Sequence, residues 1–201
     1  MKKNFLLILI FGSFLTTSFG QAFRGGLQFG MTMSQVDGDR EANYEKLGGR
    51  LGYMVGLNFD EDFGLLMGIE YIGKGSKIDA DINNNNFSAK IALHYIQAPF
   101  LLNYQFNSIP QLKKLSVQGG IGLGVLLSGK QYQNGEEVHE STYSYKPLDF
   151  SAIGGISWHF NEQLSANFQL QYSMVHISGQ DNMLHQFNNS LALSLLYYFS
   201  E

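Results

Sequence analysis

The chain contains no cysteine. Disulfides, thiolate-ligated zinc, iron–sulfur clusters and a lipid-modified N-terminal cysteine are therefore all excluded. It also lacks an apolar run long enough to cross a bilayer as a helix. The longest, Phe5 to Phe19, is 15 residues, short of the roughly 18 that a spanning helix needs. Charge is scarce: Asp, Glu, Lys and Arg make up 15% of the sequence and leave a net charge of −4. With no basic cluster in so mildly acidic a chain, nucleic acid is an unsuitable partner. Aromatic residues, by contrast, reach 14%, an unusual balance for a domain that keeps its whole outside wet.

What is present begins with a compartment signal. Lys2 and Lys3 precede the Phe5–Phe19 run, which ends in Ser18-Phe19-Gly20 with small residues at both positions that a signal peptidase reads. Residues 1–20 are thus expected to be a cleaved signal peptide, and 21–201 a single domain.

That domain is dominated by period-two alternation, the mark of strands with two unlike faces. From Phe23 to Ser34, Phe23, Leu27, Phe29, Met31 and Met33 oppose Gly26, Gln28, Gly30, Thr32 and Ser34. Similar runs fill Leu47–Phe59, Phe63–Gly75, Leu115–Ser128, Asp149–Phe160, Leu164–Met174 and Ser190–Phe199. A fourth run starts with Ile91, Leu93 and Tyr95 opposite Lys90 and His94, then continues with Phe100, Leu102, Tyr104 and Phe106 on the other parity. A bulge near Pro99 would reconcile its halves. The count is eight strands.

Alternation of this kind suits either a soluble barrel with its apolar face inside or a membrane barrel with that face turned to lipid. Side-chain size separates the two. One face carries large apolar residues nearly throughout, the other Gly, Ser, Gln and Asn, and only the small set fits the narrow interior of eight strands. Phe23, Phe59, Phe63, Phe106, Phe160 and Phe199 fall near strand ends, where membrane barrels carry aromatic girdles. Long polar connections (35–46, 76–88, 129–143 and 176–189) alternate with short ones (60–62, 107–113 and 161–163). Such alternation matches extracellular loops and periplasmic turns, with both termini periplasmic. The expected fold is an all-β, eight-stranded antiparallel up-and-down transmembrane β-barrel in the outer membrane, monomeric, with membrane lipid around it. The alternative is a soluble periplasmic ligand-binding barrel.

Several segments resemble the PorT-like outer-membrane β-barrel proteins of the Bacteroidetes. They are Gly25-Gly26-Leu27, Tyr71-Ile72-Gly73-Lys74-Gly75-Ser76, Tyr95-Ile96-Gln97-Ala98-Pro99-Phe100-Leu101-Leu102 and Gly119-Gly120-Ile121-Gly122. The resemblance implies an eight-stranded outer-membrane barrel, in a family some of whose members assist protein secretion and gliding. The chain departs from the usual barrel ending by placing Ser200 and Glu201 after Phe199.

Candidate chemistry is sparse. Arg50, Glu70, Lys74, Lys90 and His94 share one parity of strands two to four, and are expected to form a charged cluster in the lumen. Such a cluster reads first as a structural network and, more sharply, as a proton- or ion-conducting path. Asp149, Ser151 and His159 share a face of strand six. Ten residues of strand separate Asp149 from His159 by about 33 Å, too far for a catalytic relay. A lipid-modifying enzyme is therefore the weaker alternative to a non-enzymatic envelope protein that contacts other envelope or secretion proteins. The acidic loop groups Asp37-Gly38-Asp39, Asp79 with Asp81, and Glu136-Glu137-Val138-His139-Glu140 do not match the twelve-residue calcium loop. No metal or cofactor is implied.

Overall fold

A computed structural model describes residues 23–37, 44–80, 87–138, 145–179 and 186–199. The signal-peptide expectation for residues 1–20 lies outside them. Nine strands form one sheet: β1 (Phe23–Asp37), β2 (Lys46–Asn58), β3 (Phe63–Ile78), β4 (Ala89–Gln105), β5 (Leu115–Gln133), β6 (Glu136–Val138), β7 (Leu148–His159), β8 (Leu164–Ser173) and β9 (Phe187–Tyr198). Eight of them close a barrel. Antiparallel pairing runs from β1 through β5, continues through β7, β8 and β9, and returns to β1. Closure pairs each of the eight with two neighbouring strands, the condition a sheet must meet to cross hydrocarbon.

The ninth strand, β6, is a short return on the far end of β5, pairing Gln131 with Val138 and Gln133 with Glu136. The sequence carries its signal in Asn134-Gly135, a dipeptide suited to a two-residue hairpin. Both residues have positive φ, 49° and 85°. A segment expected to be loop from Gly129 onward is therefore strand up to Gln133.

The three short connections emerge at one end of the barrel together with the start of β1 and the end of β9; the long ones emerge at the other. Two of the short turns are built alike. Asp60 accepts hydrogen bonds from the backbone N–H of Asp62 and Phe63, and Asn161 from those of Gln163 and Leu164. In each case a side chain stands in for backbone at the tip of a tight turn.

The outer wall is apolar. Phe29, Leu51, Ile69, Leu102, Leu123, Ile156, Leu170 and Leu193 all point outward and are exposed. A soluble ligand-binding barrel would bury these faces around a cavity, so that alternative is overturned by the direction of the side chains. Aromatic rings gather at the turn end, where Tyr104 packs against both Phe63 and Phe106 with centroids 4.8 and 5.0 Å away. Trp158, Phe160 and Phe199 are exposed at the same end, as an interfacial girdle requires.

Strand four needs correction. Its parity never switches: Ile91, Leu93, Tyr95, Pro99 and Leu101 are all buried, whereas Lys90, Ile96, Phe100 and Leu102 are exposed. The irregularity is not at Pro99, which stays in register opposite Gly122. It lies where His94 pairs with Ser128 and Tyr95 with Leu126, so that β5 carries the extra residue, Leu127. Ile91, Leu93 and Tyr95 were expected to face lipid because they are large and apolar. They instead join Val36, Ile72 and Ile177 in a buried cluster inside the loop end of the barrel.

Candidate functional site

The lumen is filled by side chains rather than open. Along β3, moving away from the turn end, the inward residues are Leu66, Glu70, Ile72 and Lys74; along β4 they are Leu101, Gln97, Tyr95, Leu93 and Ile91. Leu66 and Leu101 belong to a second apolar cluster with Met54, Ile153 and Leu196, against which Tyr198 packs. A polar belt therefore lies between two apolar layers.

Arg50 and Glu70 are diagonal neighbours across β2 and β3, since Arg50 stands opposite Ile72 and Glu70 opposite Gly52. Diagonal positions on one face of a sheet are within reach of long side chains. The guanidinium is held in the bidentate fork that Arg and carboxylate favour, with Nε donating to Oε2 at 2.7 Å and Nη2 to Oε1 at 3.1 Å. Close approach depends on Gly52, because a Cβ there would lie 2.5 Å from that of Glu70.

From this pair the network spreads across the lumen. Arg50 Nη1 donates to Gln169 Oε1 at 2.6 Å, and Gln169 Nε2 to Gln118 Oε1 at 2.8 Å. With its amide oxygen turned toward the guanidinium, Gln28 also accepts from Arg50 Nη1 at 3.2 Å. In the other direction Gln97 Nε2 donates to Glu70 Oε1 at 3.2 Å, and Lys74 Nζ donates to Gln97 Oε1 at 3.0 Å. Lys74 ends on Asp149 Oδ2 at 2.8 Å, while Ser173 donates to Asp149 Oδ1. Two cations and two carboxylates, each no more than 2% exposed, thus neutralise one another inside the barrel. Ser157, Asn167 and Ser190, also buried, keep side-chain polar atoms without a protein partner among the described residues.

Of the five residues expected in a luminal cluster, the structure brings Arg50, Glu70 and Lys74 together. Lys90 and His94 lie outside it. With the parity of β4 unbroken, Lys90 is exposed with its ammonium 5.6 Å from the Tyr132 ring. His94 stacks on Tyr71, and its Nδ1 is 2.6 Å from the Tyr71 hydroxyl. Sequence reasoning missed Asp149 as the second carboxylate. Its inward parity was visible, but nothing along the chain links β7 to Lys74, 75 residues away.

The strand-six trio stays apart. Asp149 is held by Lys74 and Ser173, Ser151 faces the Gly122 carbonyl at 3.5 Å, and His159 sits at the turn end. There His159 Nε2 is 3.0 Å from Ser116 Oγ, a serine–histidine contact not anticipated from sequence. The turn-end mouth that His159 faces is a cavity of about 310 Å³, lined by Arg24, Lys113, Lys114 and the carboxylate-bearing Glu162 among others. Of the acidic loop residues, Asp37 accepts from Asn189 and Gln35, Asp79 pairs with Lys77 and Glu137 with Lys130. Asp39, Asp81, His139 and Glu140 lie outside the described residues. Among the described residues no three metal-ligating side chains converge.

Residues 17–179 match the family described as outer membrane protein beta-barrel domain. No curated protein matches the chain. Among solved structures it is similar to Ail, the attachment invasion locus protein of Yersinia pestis, with TM-score 0.51 and 14% identity over 88% of this chain and 98% of that one. It is also similar to Neisserial surface protein A, with TM-score 0.53 and 10% identity over 87% of this chain and 97% of that one. At such identities the likeness is one of fold.

Proposed function

Because the chain belongs to the outer membrane β-barrel domain family, we propose that it is a non-enzymatic outer-membrane protein that works through its loops and rim, contacting other envelope or secretion proteins. In this reading it is a PorT-like monomer whose residues 1–20 direct export and are removed. Its turn end and termini face the periplasm, and its long loops face outward. The observation that carries the reading is the filled lumen. Among the described residues a cross-linked polar belt lies between two apolar layers inside the barrel, in keeping with how tightly eight strands enclose their interior. The luminal charges then act as a structural network, not a conduction path. The same filling leaves the ends as the surfaces available to partners.

The test exploits the cysteine-free sequence. Single cysteines replace Glu136 in the β5–β6 hairpin and Glu162 in the β7–β8 turn, and intact cells are treated with a membrane-impermeant maleimide. Glu136→Cys is expected to react at once, and Glu162→Cys only after the outer membrane is permeabilised. The reverse pattern overturns the orientation. Purified protein in a planar bilayer is expected to be electrically silent, and sustained channel steps would overturn the filled-lumen reading.

A further inference from the structure

The outer wall is interrupted at one seam. The ladder between β5 and β7 stops at Val125 opposite Leu148, although β5 runs on to Gln133. One further bond joins the seam, Leu126 N–H donating to the Pro147 carbonyl. Ahead of it in the chain, the segment leading into β7 turns to the β8–β9 connection instead: Lys146 N–H donates to the Ile177 carbonyl, and Tyr145 bridges to Ser178. The parting of the two strands leaves a cavity of about 610 Å³ on the outer face. Leu123, Val125, Leu148, Phe150 and Val175 line it, together with Lys146, Pro147 and Asp149.

Leu123, Val125 and Leu148 are 47, 50 and 65% exposed, so the notch opens outward from the barrel, toward lipid. We propose that it seats one anionic lipid of the leaflet at the loop end, an acyl chain filling the notch and the phosphate meeting Lys146. A concavity lined by hydrocarbon and opening into hydrocarbon excludes water, and an acyl chain is the mobile apolar group at hand. The Lys146 charge in its lining is complementary to a phosphate. The half-buried Lys146 ammonium donates a hydrogen bond to His176 Nε2, which leaves it further donors, and it forms no ion pair with a carboxylate among the described residues. The acid among the residues lining the notch, Asp149, is 2% exposed and is held in the lumen by Lys74. The inference rests on membrane placement of the barrel, but not on which end faces the periplasm.

The experiment uses the full protein reconstituted in bilayer discs of equimolar phosphatidylglycerol and phosphatidylcholine, released for native mass spectrometry. One retained lipid is expected, with phosphatidylglycerol favoured by about fivefold, the preference that a single lysine near an anionic surface supports. Lys146→Gln should bring the two lipids to parity. Val175→Trp, which fills the notch, should remove retention of both. Heat-dependent migration on unboiled gels, checked on the same samples, separates this inference from the barrel itself. Loss of the shift in wild-type protein would contradict the membrane barrel. Three results with the shift intact would overturn the lipid seat: no retained lipid, an undiminished phosphatidylglycerol preference in Lys146→Gln, or a retained second copy of the chain instead of lipid.

Discussion

Replacing Glu70 with alanine tests the luminal network at its most connected carboxylate. Glu70 accepts two hydrogen bonds from Arg50 and one from Gln97. Its loss leaves a guanidinium with 0% side-chain exposure whose remaining hydrogen-bond partners among the described residues are the amides of Gln28 and Gln169. Stranding one member of a buried pair costs about 3–5 kcal/mol, or roughly two to three and a half powers of ten in the unfolding equilibrium. Removing both charges with residues of similar size should be far milder, because the desolvation cost of the pair disappears along with its attraction. Arg50→Met/Glu70→Leu is therefore expected to be more stable than either Glu70→Ala or Arg50→Ala alone. Guanidinium unfolding from lipid vesicles measures all four proteins, read through Trp158, the sole tryptophan, which is exposed on the outer wall. Single variants within about 1 kcal/mol of wild type, the range of an exposed pair, would refute the reasoning. So would a double variant as unstable as the two singles summed.

Two further outcomes follow from the wall and its inner spacing. Leu193 lies mid-strand on the outer face, 56% exposed. Leu193→Arg is expected to cost about 2–4 kcal/mol in a bilayer, and Leu47→Arg, close to the loop-end start of β2, only about 0–1 kcal/mol; vesicle unfolding ranks them. Gly52→Ala forces a Cβ against Glu70 and should destabilise by about 1–3 kcal/mol as an overpacked site. Gly119→Ala, whose Cβ meets nothing within 4 Å, is the matched control on the same scale.

Much of the architecture was legible in the chain because a strand with unlike faces writes its period directly into the sequence. The turns at Asp60 and Asn161 were legible for the same local reason. Strand four was not, since period two reports that faces differ but not which face is inside. Ile91, Leu93 and Tyr95 look like lipid-facing residues, yet they seal the lumen with Val36 and Ile177. Large size indicates an outward position only where the lumen is polar, and at the loop end it is not. That error carried Lys90 and His94 into the expected cluster. The actual partner of Lys74, Asp149, is reached only across the closed barrel, through contacts that no spacing along the sequence encodes. The β6 hairpin was missed as well: residues 129–143 were expected to be a long polar connection, and their polar composition hid both the Asn134-Gly135 turn and a strand extension that ladder pairing sustains.

The central claim is that the large apolar faces meet lipid on a closed barrel. Membrane fractionation of expressing cells, followed by electrophoresis with and without boiling, tests it most directly, because closed membrane barrels resist detergent and migrate differently once unfolded. Recovery in the outer membrane with a heat-dependent shift is the result expected. Recovery as a soluble protein that migrates identically before and after boiling would contradict it.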